Sequence, residues 1–144
     1  MKSAPFLVIA VFASLAGVSC HKRPEAKPVD FVTQVKPLLE ARCINCHHSG
    51  ALFGDLNLEN RALAFKERVK GPVIIPSDPE KSVFFRVLTL PEGDKKAMPP
   101  TGHRIAPSET ELIRTWILQG AKWPEGADGA IKPTVSDKPT GVAS

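Results

Sequence analysis

The sequence contains no tyrosine and only three cysteines, and the cysteines exclude several common sites. Cys43 and Cys46 form one pair and Cys20 stands alone, so the second pair of ligands that a structural zinc site usually needs is missing. A disulfide between Cys43 and Cys46 would close a very small loop and remove little chain entropy. A thioredoxin-like dithiol needs a βαβ context, whereas the segment before Cys43 has a helical pattern. The paired cysteines therefore point to another chemistry.

The sequence also has only a small excess of positive charge and few long hydrophobic runs. The net charge is +4, and Lys2 is the only charged residue of the first 19, which leaves 18 basic and 15 acidic residues in the rest of the chain. This small and scattered excess does not indicate nucleic-acid binding. Internal repeats and convincing strand patterns are missing as well. The 144 residues predict about one domain, and we expect an all-α fold.

The sequence does contain Cys43-Ile44-Asn45-Cys46-His47, a C-x-x-C-H motif that is typical of covalent haem attachment. Each thiol adds across one vinyl group of the porphyrin, and two cysteines three residues apart on one helical turn face the same way. The next residue, His47, is then held beneath the ring and binds the iron as the proximal ligand. We therefore predict one haem c, attached through Cys43 and Cys46 and ligated by His47.

A low-spin electron carrier needs a second axial ligand, and Met98 is the only methionine left once residues 1–19 are removed. Met98 precedes Pro99 and Pro100, which stiffen the loop and would hold the sulfur at the iron in both oxidation states. His103 is the main alternative, and a histidine ligand would lower the reduction potential. We predict Met98 as the distal ligand and leave His103 open.

The N-terminus resembles an export signal. A short basic start, Met1-Lys2-Ser3, precedes an apolar run over residues 6–18, which is shorter than the roughly 20 residues that a membrane span needs. An uncleaved anchor is the alternative. Residues 15–20 resemble a bacterial lipoprotein box, although Gly17 stands where leucine is usual, so Cys20 is either lipidated or a free thiol. We predict a signal peptide over 1–19, a flexible tether over 20–29, and a periplasmic or cell-envelope location.

Periodic apolar residues predict several helices between residues 30 and 124. Asp30 is the predicted N-cap of the first helix, which Pro37 should kink. A helix over residues 60–70 should bury Val69, and another should start near Ser77. The last helix should begin with a capping box at residues 108–111. We expect Trp116 in the core, packed against the first helix, and a haem propionate is one candidate partner for its indole N–H. The candidates for lining the haem ring are Leu52, Leu56 and Leu58. Residues 125–144 are predicted to form a disordered tail.

Taken together, these motifs resemble the planctomycete-type cytochrome c domain over nearly all of residues 30–124. The resemblance rests on Phe31-x-x-x-Val35-x-Pro37-Leu38-Leu39, the haem motif with Gly50, Ile75-Pro76-Ser77-Asp78-Pro79 with Ser82, Met98-Pro99-Pro100, residues 111–116, Gly120-Ala121 and Trp123-Pro124. It implies a class I-like helical domain wrapped around one covalent haem with His/Met ligation. Ser77 departs from the pattern, since the family often has glycine there.

The predicted function is single-electron transfer rather than enzymatic catalysis, because both axial positions would be filled. Lys95, Lys96, His103 and Arg104 flank the Met98 loop and would steer an acidic redox partner. One alternative is a small peroxidase-like enzyme with an open sixth position, for which His103 would be the acid–base group. Another is a haem sensor or a subunit of a larger membrane-attached redox assembly.

Overall fold

The computed structural model describes residues 27–100 and 104–133. The elements in chain order are a π-helical turn Phe31–Val35, α1 Lys36–Arg42, β1 His47–His48, β2 Ala51–Leu52, a 3-10 turn Phe53–Asp55, α2 Arg61–Ala64, α3 Val83–Thr89, α4 Pro107–Leu118 and α5 Gly126–Gly129. None of the helices in these ranges is long and apolar enough to cross a membrane. The predicted signal peptide, Cys20 and His103 lie outside the described residues.

The first helical segment begins where the sequence predicts. The Asp30 carboxylate accepts a 2.8 Å hydrogen bond from the backbone N–H of Thr33, so Asp30 is the N-cap. Pro37 lies in the first turn of α1, where its missing N–H is tolerated. The chain changes from a π-helical to an α-helical turn at this point. The segment buries Phe31, Val35 and the two leucines of α1.

An aromatic cluster forms the centre of the core. The ring centroids of Phe31 and Trp123 are 4.5 Å apart, and Trp116 lies 6.0 Å from each of them. The prediction that Trp116 packs against the first helical segment is confirmed. Its indole N–H donates to the carbonyl oxygen of Lys122 at 2.8 Å, so this backbone group, and not the candidate propionate, is its partner. The cluster fixes the first segment against α4.

The structure is not purely all-α, because a two-stranded hairpin follows the C-x-x-C-H motif. His47 pairs with Leu52 and His48 with Ala51 in antiparallel register. The Glu59 carboxylate accepts hydrogen bonds of 3.1 Å from both the backbone N–H and the hydroxyl of Ser49 at the turn. Strands of two residues are too short to show a period-two pattern in the sequence. They form because the chain reverses directly after the motif.

Helix α2 is shorter than predicted. It spans only four residues after its N-cap Asn60, whose side chain accepts from the backbone N–H of Leu63 at 3.0 Å. Val69, which was predicted to point inward, is fully exposed at 106%. The chain leaves the helical conformation after Phe65, so the apolar spacing of this segment does not form a buried face.

Helices α3 and α4 start at different residues from those predicted. Ser77 adopts a left-handed φ of 65°, which prevents a helix from starting there. Helix α3 begins only at Val83. Helix α4 begins at Pro107, and the Glu109 carboxylate accepts from the Ala106 N–H at 2.6 Å. This is one half of a capping box, since the alanine at the N-cap has no acceptor, and Ser108 is not the cap.

The predicted disorder from residue 125 onward is wrong for residues 125–133. Ile131 is only 2% exposed, and its backbone N–H donates to the carbonyl oxygen of Glu59 at 2.8 Å. The Trp123 indole N–H donates to the carbonyl oxygen of Gly129 at the same distance. The packed unit therefore extends past residue 124 and includes α5.

Candidate haem-binding site

The C-x-x-C-H motif directly follows helix α1 and is held by the core. The backbone N–H groups of Cys43 and Ile44 both donate to the carbonyl oxygen of Leu39, at 3.0 and 2.9 Å. Two further turn bonds follow, from Cys46 to Cys43 and from His47 to Ile44, at 3.2 and 3.1 Å. Ile44 is completely buried and anchors the motif. The two thiols and the imidazole therefore extend from a fixed pair of turns.

A cavity of about 480 Å³ lies beside these turns and brings the predicted site residues together. Cys43, Cys46, His47 and Met98 all line it. This volume is in the range of about 300–1,000 Å³ that is usual for cofactor pockets. The remaining wall is mainly apolar and comprises Ala41, Arg42, Phe53, Gly54, Leu56, Val73, Val83, Phe84, Val87, Leu88, Pro99 and Pro100. A separate depression of about 500 Å³ around Trp123 contains none of the four predicted residues.

The burial and the protonation state of the His47 imidazole suit a metal ligand. Its Nδ1 atom is buried and has no hydrogen-bond partner among the described residues. Burial lowers the pKa of His47, the Arg68 charge acts in the same direction, and backbone groups of Phe53 and Leu56 oppose the shift. The lowered pKa favours the neutral imidazole, which is the form that binds a metal. Its backbone is fixed by a 2.8 Å hydrogen bond from the Leu58 N–H to the His47 carbonyl oxygen.

The two thiols differ in exposure, and neither forms a disulfide within the part of the chain that the structure describes. Cys46 is exposed, whereas Cys43 packs partly against the core. Burial raises the pKa of the Cys43 thiol to about 12, with smaller contributions from Cys46 and Glu109 and an opposing one from Arg42. Cys43 is therefore uncharged in its apolar surroundings. Two free thiols at the edge of an apolar cavity are the chemistry that thioether formation requires.

Met98 reaches the same cavity from a loop that follows α3. Its backbone N–H donates to the carbonyl oxygen of Val87 at 2.9 Å, and the preceding Ala97 is buried. Arg104 donates to the Met98 carbonyl oxygen at 3.2 Å. The structure thus places a thioether in the wall of the cavity that also contains the C-x-x-C-H thiols. An imidazole, a thioether and two thiols around an apolar space suit a haem c, and the residues present fit that group.

The structure changes the list of residues around the cavity. Leu56 lines it as predicted, but Leu52 is exposed and Leu58 is buried in the core. Phe53, which sequence reasoning missed, lines the cavity although its side chain is 64% exposed. Left-handed φ values at Gly54 and Asp55 turn the chain here. The Gly-Asp pair after Phe53 is the only sequence signal for this turn.

Comparison with known proteins supports the same cofactor. The family model described as Planctomycete cytochrome C matches residues 43–102. This range begins at the first cysteine of the motif and extends beyond Met98. No curated protein and no solved structure matches the chain. The family match supports the binding of haem c by this domain.

Proposed function

We propose, from the premise that this chain contains a planctomycete-type cytochrome c domain, that the protein is a mono-haem electron carrier and not an enzyme. Cys43 and Cys46 would hold the haem covalently, and His47 and Met98 would supply the two ligands of its iron. The bound haem supplies one-electron chemistry at the iron. The single observation that carries the proposal is that these four side chains line one cavity of about 480 Å³.

The apolar wall supports electron transfer without bond making at the iron. On the side of Met98, the described wall includes Val83, Val87 and Leu88 from α3. Such side chains exclude water and give no proton to a bound substrate. A thioether ligand in this environment favours the reduced state relative to a second histidine. These residues therefore favour a six-coordinate carrier with a raised potential.

Rigid backbone on both sides of the cavity keeps the ligands in place when the charge of the iron changes. The motif side is fixed by the buried Ile44 and by the hydrogen bond between His47 and Leu58. The Met98 side is fixed by the hydrogen bond to Val87. Small movement between oxidation states is what rapid electron transfer needs.

The test is to change the distal ligand and measure the absorption spectrum and the potential. Met98→Ala should remove the weak far-red sulfur-to-iron band of the ferric protein and lower the potential, while the haem stays covalently attached. Met98→His should keep a six-coordinate iron but also lower the potential. His103→Ala is the matched control because His103 is the alternative ligand. A wild-type protein without the band, or a potential that depends on His103 and not on Met98, would contradict the proposal.

The charge around the Met98 loop favours an acidic redox partner. Lys95 and Lys96 are exposed beside the cavity wall formed by Pro99 and Pro100. Exposed cations of this kind raise the association rate with an acidic surface. Lys95→Gln with Lys96→Gln should slow electron transfer to an acidic partner at low salt and have little effect at high salt.

We further propose that the protein is exported and acts in the periplasm or cell envelope. The proposal is supported by the basic start and apolar run of residues 1–19 and by the external site at which bacterial c-type haem is attached. Cys20 is the proposed site of a lipid anchor, followed by a tether up to residue 26. The predicted tether is wrong for residues 27–29, because the Gln119 side chain accepts from the Val29 N–H and donates to the Lys27 carbonyl oxygen. The mass of the mature N-terminal peptide distinguishes an acylated Cys20 from a free one.

A further inference from the structure

Among the described residues, Arg104 makes three hydrogen bonds, all to backbone carbonyl oxygens at the end of α3 and in the Met98 loop. Its Nη2 atom donates to Leu88 at 2.8 Å and to Leu90 at 2.6 Å. Its Nη1 atom donates to Met98 at 3.2 Å. The sequence suggested that Arg104 is a cation for steering a partner, but its half-buried guanidinium is engaged within the molecule.

Two of the three acceptors lie at the end of a helix. Helix α3 ends at Thr89, and the carbonyl oxygens of its last turn have no partner within the helix. A positive charge is also favoured there by the helix dipole. The planar guanidinium can donate to these carbonyl oxygens and to that of Met98 at the same time, because its nitrogens form a rigid fork.

Met98 is consequently held at both of its backbone polar groups. Its N–H donates to Val87 in α3, and its carbonyl oxygen accepts from Arg104. Since Arg104 also contacts the end of α3, helix and loop are joined into one unit. The side chain of Met98 projects from this unit into the cavity wall.

We propose that Arg104 is a positioning residue that holds the Met98 sulfur at the haem iron. The inference rests on the proposed function, in which Met98 is the distal ligand. Without Arg104, the loop after α3 is held to the helix only by the Met98–Val87 hydrogen bond, and the sulfur competes less well with an external ligand. Arg104 itself does not touch the iron.

The experiment measures how readily imidazole replaces the native ligand in the ferric holoprotein. Arg104→Gln should weaken the far-red band and raise the apparent affinity for imidazole by about tenfold or more, because charge-assisted hydrogen bonds are lost. Arg104→Lys keeps the charge without the fork, and its affinity should lie between those of wild type and Arg104→Gln. Covalent haem content should stay unchanged in both variants.

Two controls separate positioning from general destabilisation. Arg86→Gln removes an exposed guanidinium from α3 and should leave the imidazole affinity unchanged. Gly129→Ala places a Cβ atom against the Pro124 carbonyl oxygen, away from the residues that line the cavity, and it should lower stability without changing the far-red band. An imidazole affinity of Arg104→Gln or Arg104→Lys equal to that of wild type would overturn the inference. A wild-type protein that lacks the band would instead refute Met98 ligation itself.

Discussion

The hydroxyl oxygen of Ser82 accepts a 2.8 Å hydrogen bond from the backbone N–H of Ile75. The same hydroxyl lies 2.8 Å from the carbonyl oxygen of Asp78, to which it donates. Ser82 is completely buried and is the N-cap residue of α3. This side chain therefore closes the turn of residues 75–82 directly before α3, which supplies part of the cavity wall.

Ser82→Ala should destabilise the protein by about 1–3 kcal/mol, because the partly buried Ile75 N–H loses its partner. Chemical denaturation of the holoprotein measures this loss. Ser108→Ala, at an exposed serine in the first turn of α4, is the matched control and should change stability far less. Equal effects of the two substitutions would contradict the role given to Ser82.

Ser77→Gly should be neutral or stabilising within about 1 kcal/mol. Ser77 has a φ of 65°, where an L residue pays roughly 1–2 kcal/mol, and the greater freedom of glycine in the unfolded chain offsets part of this gain. The position also donates a 2.8 Å hydrogen bond to Ile117, which glycine retains. Ser77→Val should be clearly destabilising in the same denaturation assay, since β-branched residues rarely adopt this conformation. A Ser77→Gly variant that is less stable than wild type would contradict the prediction, because the left-handed φ would then not favour glycine at this position.

Glu59 should make stability depend on pH through the hairpin after the haem motif. The side chain of Asn57 donates to its carboxylate at 2.8 Å, and this bond, with those from Ser49, holds the pKa of Glu59 below its usual 4.5. The stabilisation is present above pH 4.5 and is lost as the pH falls through the lower folded-state pKa. Glu59→Gln should therefore be less stable than wild type above pH 4.5, and the difference should shrink below it.

Denaturant unfolding at several pH values on either side of the usual carboxylate pKa tests this dependence. Glu67→Gln changes an exposed carboxylate and provides the matched control. A constant difference between wild type and Glu59→Gln across this pH range would contradict the linkage.

Removal of the chain after Pro124 should destabilise the domain more than removal after Pro133. The longer truncation deletes Ile131, and burial of one such side chain stabilises by about 1.5–3 kcal/mol. It also deletes the Gly129 carbonyl that accepts from Trp123. The difference in melting temperature between the two truncations measures the contribution of residues 125–133. Equal melting temperatures of the two truncations would contradict the packing of residues 125–133 and would agree with the predicted disorder of this segment.

Gly129 offers a point substitution for the same question. A Cβ atom added there would lie 1.8 Å from the Pro124 carbonyl oxygen, so Gly129→Ala should displace the segment and lower the melting temperature. Ala127→Ser, at an exposed position of α5, is the control. A melting temperature unaffected by Gly129→Ala would mean that the segment does not pack as described.

The sequence was most informative where local chemistry decides the structure. The cap at Asp30 and the burial of Phe31, Val35 and Trp116 follow from short-range patterns, and the structure has them. The family match begins at Cys43, the first residue of the motif on which the haem assignment depends. Local patterns also placed Met98 in a loop, and that loop reaches the cavity.

Long-range contacts decided the features that the sequence did not reveal. Arg104 appears in the sequence as one of several cations, and only the fold shows its three backbone acceptors. Ile131 is an isolated apolar residue in a polar segment, and its burial depends on Glu59, far away in the chain. The two-residue strands result from a reversal at Ser49 that depends on the same glutamate. Single-residue packing of this kind leaves no periodic signal.

Mass spectrometry of the purified protein is the most direct test of covalent haem binding. After proteolysis, the peptide that contains Cys43, Cys46 and His47 should carry the mass of one haem bound by two thioethers, and the protein should be coloured. The same peptide without haem, with its two thiols free or joined to each other, would contradict the account.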